Sequence, residues 1–241
     1  MLQPLNFCIP EDLEDYMTLH VGLIGSNGFV IASDTLRTWM SPSSPNNPQR
    51  SSTKKIRVQD GLVWACAGYQ PHTEFGEQLL HSMGSQPFSE SILRDFTLTF
   101  FRDNVVNKQT EEILVGHRSQ PAQLWQIKAY PRASQILPDV TAAWDRATNQ
   151  AAVCAHFIPT LFHLDAQKPT NDLVFPAALT IWYGERENNG AIRGLQIVKC
   201  VNGSIEQLDN LEIRQIQRRC SEFHQVASDF IYQVASLSPK S

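Results

Sequence analysis

Apolar and polar residues alternate along this chain in two rhythms, and each change of rhythm marks an element. Residues 17–34 run Met-Thr-Leu-His-Val-Gly-Leu-Ile-Gly-Ser-Asn-Gly-Phe-Val-Ile-Ala-Ser-Asp. The pattern predicts a strand, a turn at Asn27-Gly28 and a second strand, because both central residues of a type I′ turn need positive φ and Asn-Gly accepts it. Residues 54–58 and 62–69 predict another strand pair around Gln59-Asp60-Gly61. Between the two pairs, residues 41–53 hold three prolines and no apolar residue, which predicts a solvated loop.

The rhythm then lengthens. Phe75, Leu79 and Met83 predict a helix over residues 72–83 with Thr73 as its cap. Ile92, Leu93, Phe96, Phe100 and Phe101 predict a second helix from Ser89 to just before Asn104. Residues 112–115 and 123–129 return to strand character. Residues 138–164 combine a helix-like composition at 141–147 with an apolar run broken by Pro159, and no element is assigned there. Residues 178–185 and 193–202 predict a hairpin around Asn188-Asn189-Gly190. Last comes a long helix with apolar or small residues at Ile213, Ile216, Cys220, Phe223, Ala227, Phe230, Val234 and Leu237, led by an Asp209-x-x-Glu212 capping box. One face of it must be buried, preferably against the sheet or other helices, alternatively against another subunit. Two helices following four strands fit a layered sandwich of sheets and helices.

At 241 residues the chain is long enough for one large domain. Its formal net charge of −4, with no cluster of Lys and Arg, argues against a nucleic-acid surface. Five cysteines, Cys8, Cys66, Cys154, Cys200 and Cys220, are odd in number and lack C-x-x-C spacing. They suggest neither a zinc site nor a disulfide framework, and fit a reducing cytoplasm. No histidine has metal-ligand spacing with another, and no cofactor is implied. No apolar run approaches the ~18 residues that span a bilayer, and the acidic start, with Glu11, Asp12, Glu14 and Asp15, is unlike a secretory signal.

Thr18, Val21-Gly22, Asn27-Gly28, the run from Phe29 to Asp34, Lys55-Ile56 and Ala67-Gly68 occur in an order that resembles the proteasome β-type subunits among the N-terminal nucleophile hydrolases. The resemblance covers roughly residues 17–85. It implies an α/β (α+β) fold, a four-layer αββα sandwich of two stacked antiparallel sheets flanked by helices, over residues 18–241. It also implies a threonine-type peptidase that acts through an acyl-enzyme on Thr18. In that chemistry the nucleophile's own α-amine is the base, and a reference pKa of about 7.7–8.0 suits it better than an unshifted Lys. By the same resemblance Lys55 is a cation beside the Thr18 hydroxyl, Asp34 pairs with Lys55, Gly68 offers a backbone N–H to an oxyanion hole, and Cys66 and Arg37 face the substrate.

Thr18 must then become the first residue, so residues 1–17 are expected to be a propeptide or extension, or translation begins at Met17. Family members processed autolytically usually carry Gly before the Thr; here it is Met17. The resemblance further implies a Ser beside a Gly-rich segment in the second half and a later Asp, and no Gly-Ser match stands between Ala129 and His163. The expected partners are a peptide or unfolded-protein substrate, copies of the chain in a ring, and an ATP-dependent unfoldase. The alternatives are a catalytically inactive structural subunit with Thr18 in mid-chain, and an amidase acting on small amides.

Overall fold

In a computed structural model of the protein, which describes residues 18–41, 44–67, 74–103, 111–119, 121–130, 133–138, 158, 160–164, 166–187 and 192–236, the first hairpin forms as β1 (His20–Gly25) and β2 (Gly28–Ser33). Gly25 pairs with Gly28, so the turn residues are Ser26 and Asn27, one position earlier than expected, and neither has positive φ. Gly28 is a glycine for a different reason. A Cβ there would overlap the carbonyl oxygen of Cys200 on the neighbouring strand, so the constraint is close approach of two backbones.

The left-handed turns lie elsewhere. Asp60-Gly61, at φ 49° and 86°, joins β5 (Ile56–Gln59) to β6 (Leu62–Ala67) as expected. Asn202-Gly203, at φ 51° and 80°, joins β10 (Gln196–Val201) to β11 (Ser204–Gln207).

Among the described residues two larger antiparallel sheets result, beside a two-stranded ribbon. The first has the order β1-β2-β10-β11. The second has the order β5-β6-β7-β8-β9, built with β7 (Glu111–His117), β8 (Gln123–Tyr130) and β9 (Ala133–Pro138). Strand β9 had no counterpart in the sequence pattern. Period-two alternation sorts the side chains into layers. From β2, Phe29 and Ile31 meet Val63 and Ala65 of β6, Leu114 of β7 and Leu124 of β8 between the sheets. Val30 and Ala32 turn the other way, onto helices α3 (Thr170–Glu187) and α4 (Asn210–Ser236). On the second sheet, Leu62, Trp64 and Cys66 turn outward onto α1 (Phe75–Met83) and α2 (Glu90–Asp103). The architecture is the αββα sandwich.

Three local expectations are corrected. Residues 178–185 are not a strand: they lie inside α3, which is buried along most of its length between β1, β2 and β10 on one side and α4 on the other. A helix covered on two sides loses the polar stripe that reveals its period. Consequently the hairpin around Asn188-Asn189-Gly190 does not form, and β10 pairs instead with β2 and β11. Residues 41–53 are not a loop either. Ser44–Ser52 form β4, which pairs with β3 (Leu36–Ser41) through Leu36↔Ser52, Arg37↔Ser51 and Thr38↔Arg50. Main-chain pairing makes this ribbon, and a polar sequence does not announce it.

The capping box does form. Asp209 Oδ1 accepts from Leu211 N–H at 2.7 Å and Glu212 N–H at 2.9 Å, while Glu212 Oε2 accepts from Asp209 N–H at 2.8 Å. The expected Thr73 cap lies outside the described residues; α1 has Glu74 at its N-cap with no side-chain capping bond.

Backbone crowding at Gly28 predicts that Gly28→Ala lowers stability by about 3 kcal/mol, because the neighbour is main chain that cannot rotate away. Gly203→Ala, which strains only a turn, is expected to cost about 1–2 kcal/mol. Urea unfolding of both variants checks the order, and an equal loss would contradict the close approach of β2 and β10.

Candidate active site

Thr18 lies two residues before β1, Asp34 follows β2, and Lys55 precedes β5, so the ends of three strands converge. Asp34 is held first by backbone. Its N–H donates to Leu19 O at 3.1 Å, its Oδ1 accepts from Leu19 N–H at 3.0 Å and its Oδ2 accepts from Leu36 N–H at 3.1 Å. The carboxylate is therefore fixed between the entry to β1 and the start of β3.

Lys55 completes the arrangement. Its Nζ lies 2.9 Å from each Asp34 oxygen and 2.9 Å from Thr18 Oγ1. The Asp34 side chain is fully buried and that of Lys55 is 10% exposed; Thr18 is 4% exposed. Burial is the largest influence on both charged groups. It pushes Asp34 above the usual carboxylate range and Lys55 below the usual lysine range, and their mutual attraction and hydrogen bonding pull each back. The pair brings one ammonium against a hydroxyl that would otherwise be an unremarkable side chain, and holds it there in a water-poor place.

Two residues at this place were missed in the sequence. Gln196 opens β10 and points between the sheets, on the same face as Val198 and Cys200. Its Oε1 accepts from Lys55 N–H at 2.9 Å and Ile56 N–H at 3.0 Å, and its Nε2 donates to Ile56 O at 2.9 Å. The available signal was an amide on the inward phase of an alternating strand. His20 is the second: it shares the phase of Thr18 along β1, is fully buried, and neither ring nitrogen has a hydrogen-bond partner among the described residues. Burial, aided by the nearby Lys55 charge, lowers its pKa to about 3.

The other expected site residues are placed less tellingly. Cys66 is buried with Leu62 and Trp64 against Phe75 and Leu79, on the helix-facing side of β6. Arg37 lies near the start of β3, three residues beyond Asp34. Gly68 lies outside the described residues, as does most of the region from Ala129 to His163 where a Gly-Ser match was sought. Among the described residues, no group of three or more His, Cys, Asp or Glu is placed to hold a metal ion, and no helix is long and apolar enough to cross a membrane.

Solved structures with this architecture include an Anbu (ancestral beta-subunit) from Yersinia bercovieri, with a TM-score of 0.61 at 14% identity over 92% of this chain and 98% of that one. An Anbu (Gly-1) mutant from Hyphomicrobium sp. strain MC1 gives a TM-score of 0.61 at 13% identity over 93% of this chain and 99% of that one. At such identities the likeness is one of fold. These neighbours correct the resemblance to proteasome β-type subunits: Anbu proteins are proteasome-like but a distinct family. No protein-family model and no curated protein matches the chain.

His20 carries a pH prediction. Folded, it takes up a proton only near pH 3, whereas unfolded it does so near 6.5, so the unfolded state binds the extra proton across that window. Stability attributable to neutral His20 is fully present above pH 6.5 and falls by about 1.4 kcal/mol per pH unit below it. His20→Leu should remove that slope in urea titrations between pH 6.5 and 4; an unchanged acid slope would show that another group carries it.

Proposed function

We propose that this protein hydrolyses peptide bonds as a threonine-type peptidase, with Thr18 as nucleophile once it has become the first residue. The observation that supports this reading most is the single ammonium of Lys55, 2.9 Å from Thr18 Oγ1 and 2.9 Å from both oxygens of Asp34. A threonine hydroxyl needs a base and a means of bearing negative charge. Because Asp34 binds Lys55 as a cation, Lys55 serves the second need, and the free α-amine of Thr18 serves the first.

In this mechanism the Thr18 hydroxyl oxygen attacks the scissile carbonyl carbon while its proton passes to the α-amine. Lys55 stabilises the oxygen as it loses that proton. The carbonyl oxygen becomes an oxyanion, which we assign to the backbone N–H of Gly68. Collapse breaks the C–N bond, and the ammonium returns the proton to the departing amine. Water, deprotonated by the same α-amine, then cleaves the ester on Thr18 and restores the hydroxyl. Residues 1–17 act as an extension whose removal, or omission at translation, exposes the amine.

A second reading has its own support. In the 241-residue sequence the Thr18 nitrogen is joined to Met17 and is an amide, which has no basic lone pair. In that form the protein is a structural subunit with the same fold and no catalysis.

A chain prepared with Thr18 as its first residue is expected to cleave a panel of unstructured peptides. Thr18→Ala in that chain should lower kcat by about 10³-fold or more, and the chain retaining Met17 should be inactive. Cleavage of small amides alone would move the assignment to an amidase. No cleavage of either class would favour the structural subunit.

A further inference from the structure

Gln196 belongs to one sheet and bonds to the other. Strand β10 pairs with β2 so that Gln196 lies opposite Ser33, the residue before Asp34. Its side chain crosses the gap between the sheets to the main chain at Lys55 and Ile56. Backbone pairing beside Asp34 and side-chain bonds to the main chain at Lys55 thus come from a single residue.

The chemistry of these contacts is specific. Strand β5 is at the edge of its sheet among the described residues, and an edge leaves peptide N–H and C=O groups without partners. The carboxamide gives Ile56 the acceptor and the donor that an adjoining strand would give. It also accepts from Lys55 N–H, so three main-chain groups are satisfied at about the ideal 2.9–3.0 Å. Gln196 is 5% exposed, so water does not readily replace it and each lost bond leaves a buried polar group unpaired. Leu or Met fills the space without any of the bonds. A carboxylate keeps the two acceptor bonds but faces Ile56 O with no hydrogen to give.

We propose that Gln196 is a positioning residue: by fixing the main chain at Lys55 and Ile56 it aims the Lys55 ammonium at Thr18, and only a group with both a donor and an acceptor can do so. Asp34 fixes the head of the lysine side chain, and Gln196 fixes its root. A shift of the root by about 1 Å is enough to cost on the order of 10²-fold in rate where geometry controls the reaction. Among the described residues Gln196 makes its side-chain hydrogen bonds to Lys55 and Ile56 and none to the Thr18 hydroxyl, so it acts through Lys55.

The proposal rests on the peptidase reading for its kinetic consequence but not for its structural one, so the test has two arms. In the chain beginning at Thr18, Gln196→Leu should lower kcat about 10²-fold with KM changed by no more than about twofold. In the second arm, the Lys55 side chain is labelled at Cε and its NMR shift is followed with pH, in the wild type and in each variant. Among the described residues the titratable groups facing Lys55 are Asp34 and His20, joined by the α-amine of Thr18 in the chain that begins there; all three are kept in every variant, and Gln196→Glu adds only its own carboxyl. Gln196→Leu should move the Lys55 resonance and its titration.

Gln196→Glu, which preserves size, should match the wild-type Lys55 resonance at acid pH, where the introduced carboxyl carries a proton and can donate to Ile56 O. It should depart from it as that proton is lost. This variant decides the matter if Gln196→Leu fails to fold. Absence of hydrolysis by the wild type, with the Lys55 resonance responding as described, would remove the peptidase reading and keep the positioning role. A Lys55 resonance unchanged in both variants would overturn the positioning role whatever the activity.

Discussion

Everything at the convergence of β1, β2 and β5 depends on one buried ion pair. Removing a carboxylate and an ammonium from water costs several kcal/mol per ion after relaxation, and their attraction repays it only when geometry is good and the remaining hydrogen-bonding capacity is filled. Both conditions are met. Asp34 receives the ammonium on both oxygens and a backbone N–H on each. Lys55 also reaches Thr18 Oγ1. A buried pair is poor value as a source of stability, since apolar residues of similar volume do as well or better. Its worth lies in placing a positive charge against a hydroxyl, and that is why it directs attention to Thr18.

The pair also explains why the site sits at the seam between sheets. Asp34 ends a strand of the first sheet and Lys55 begins a strand of the second, so the charge contact, the Gln196 bonds and the apolar layer of Phe29, Ile31, Ile56, Val63 and Leu114 join the same two surfaces. The apolar layer supplies non-directional cohesion. The polar contacts set register and angle at one end of it. The β3–β4 ribbon grows out of this end, since Asp34 stands before its first strand and Lys55 after its second.

How much of this was legible in the sequence follows from which faces are buried. Strands β5 and β6, helices α1 and α2, the β7–β8 pair and the capped α4 each show a usable period, turn or cap, and each was read nearly as it stands. The β1–β2 pair is legible too, but its turn lies one residue earlier than Asn27-Gly28 predicts, because Gly28 makes room for Cys200 O rather than adopting a turn conformation. Helix α3 was mistaken because burial on two sides erases periodicity, and β4 because a ribbon held by main-chain bonds needs no apolar side chains. Within the site, Thr18, Asp34 and Lys55 stand out through the resemblance to N-terminal nucleophile hydrolases, carried by their order along the chain. Gln196 and His20 do not, since a lone amide or imidazole in a strand gains meaning only when the facing sheet is known. The resemblance to proteasome β-type subunits gave the fold, while the structural neighbours are Anbu proteins, a distinct proteasome-like family.

The central claim is that the Thr18 hydroxyl, beside the Lys55 ammonium, works with a free α-amine on the same residue. Intact mass together with N-terminal sequencing of the protein purified from its native host tests this most directly. The account predicts a chain whose first residue is Thr18. A chain that still carries residues ahead of Thr18 in all of the purified protein would contradict it, because the nitrogen beside the hydroxyl would then be an amide.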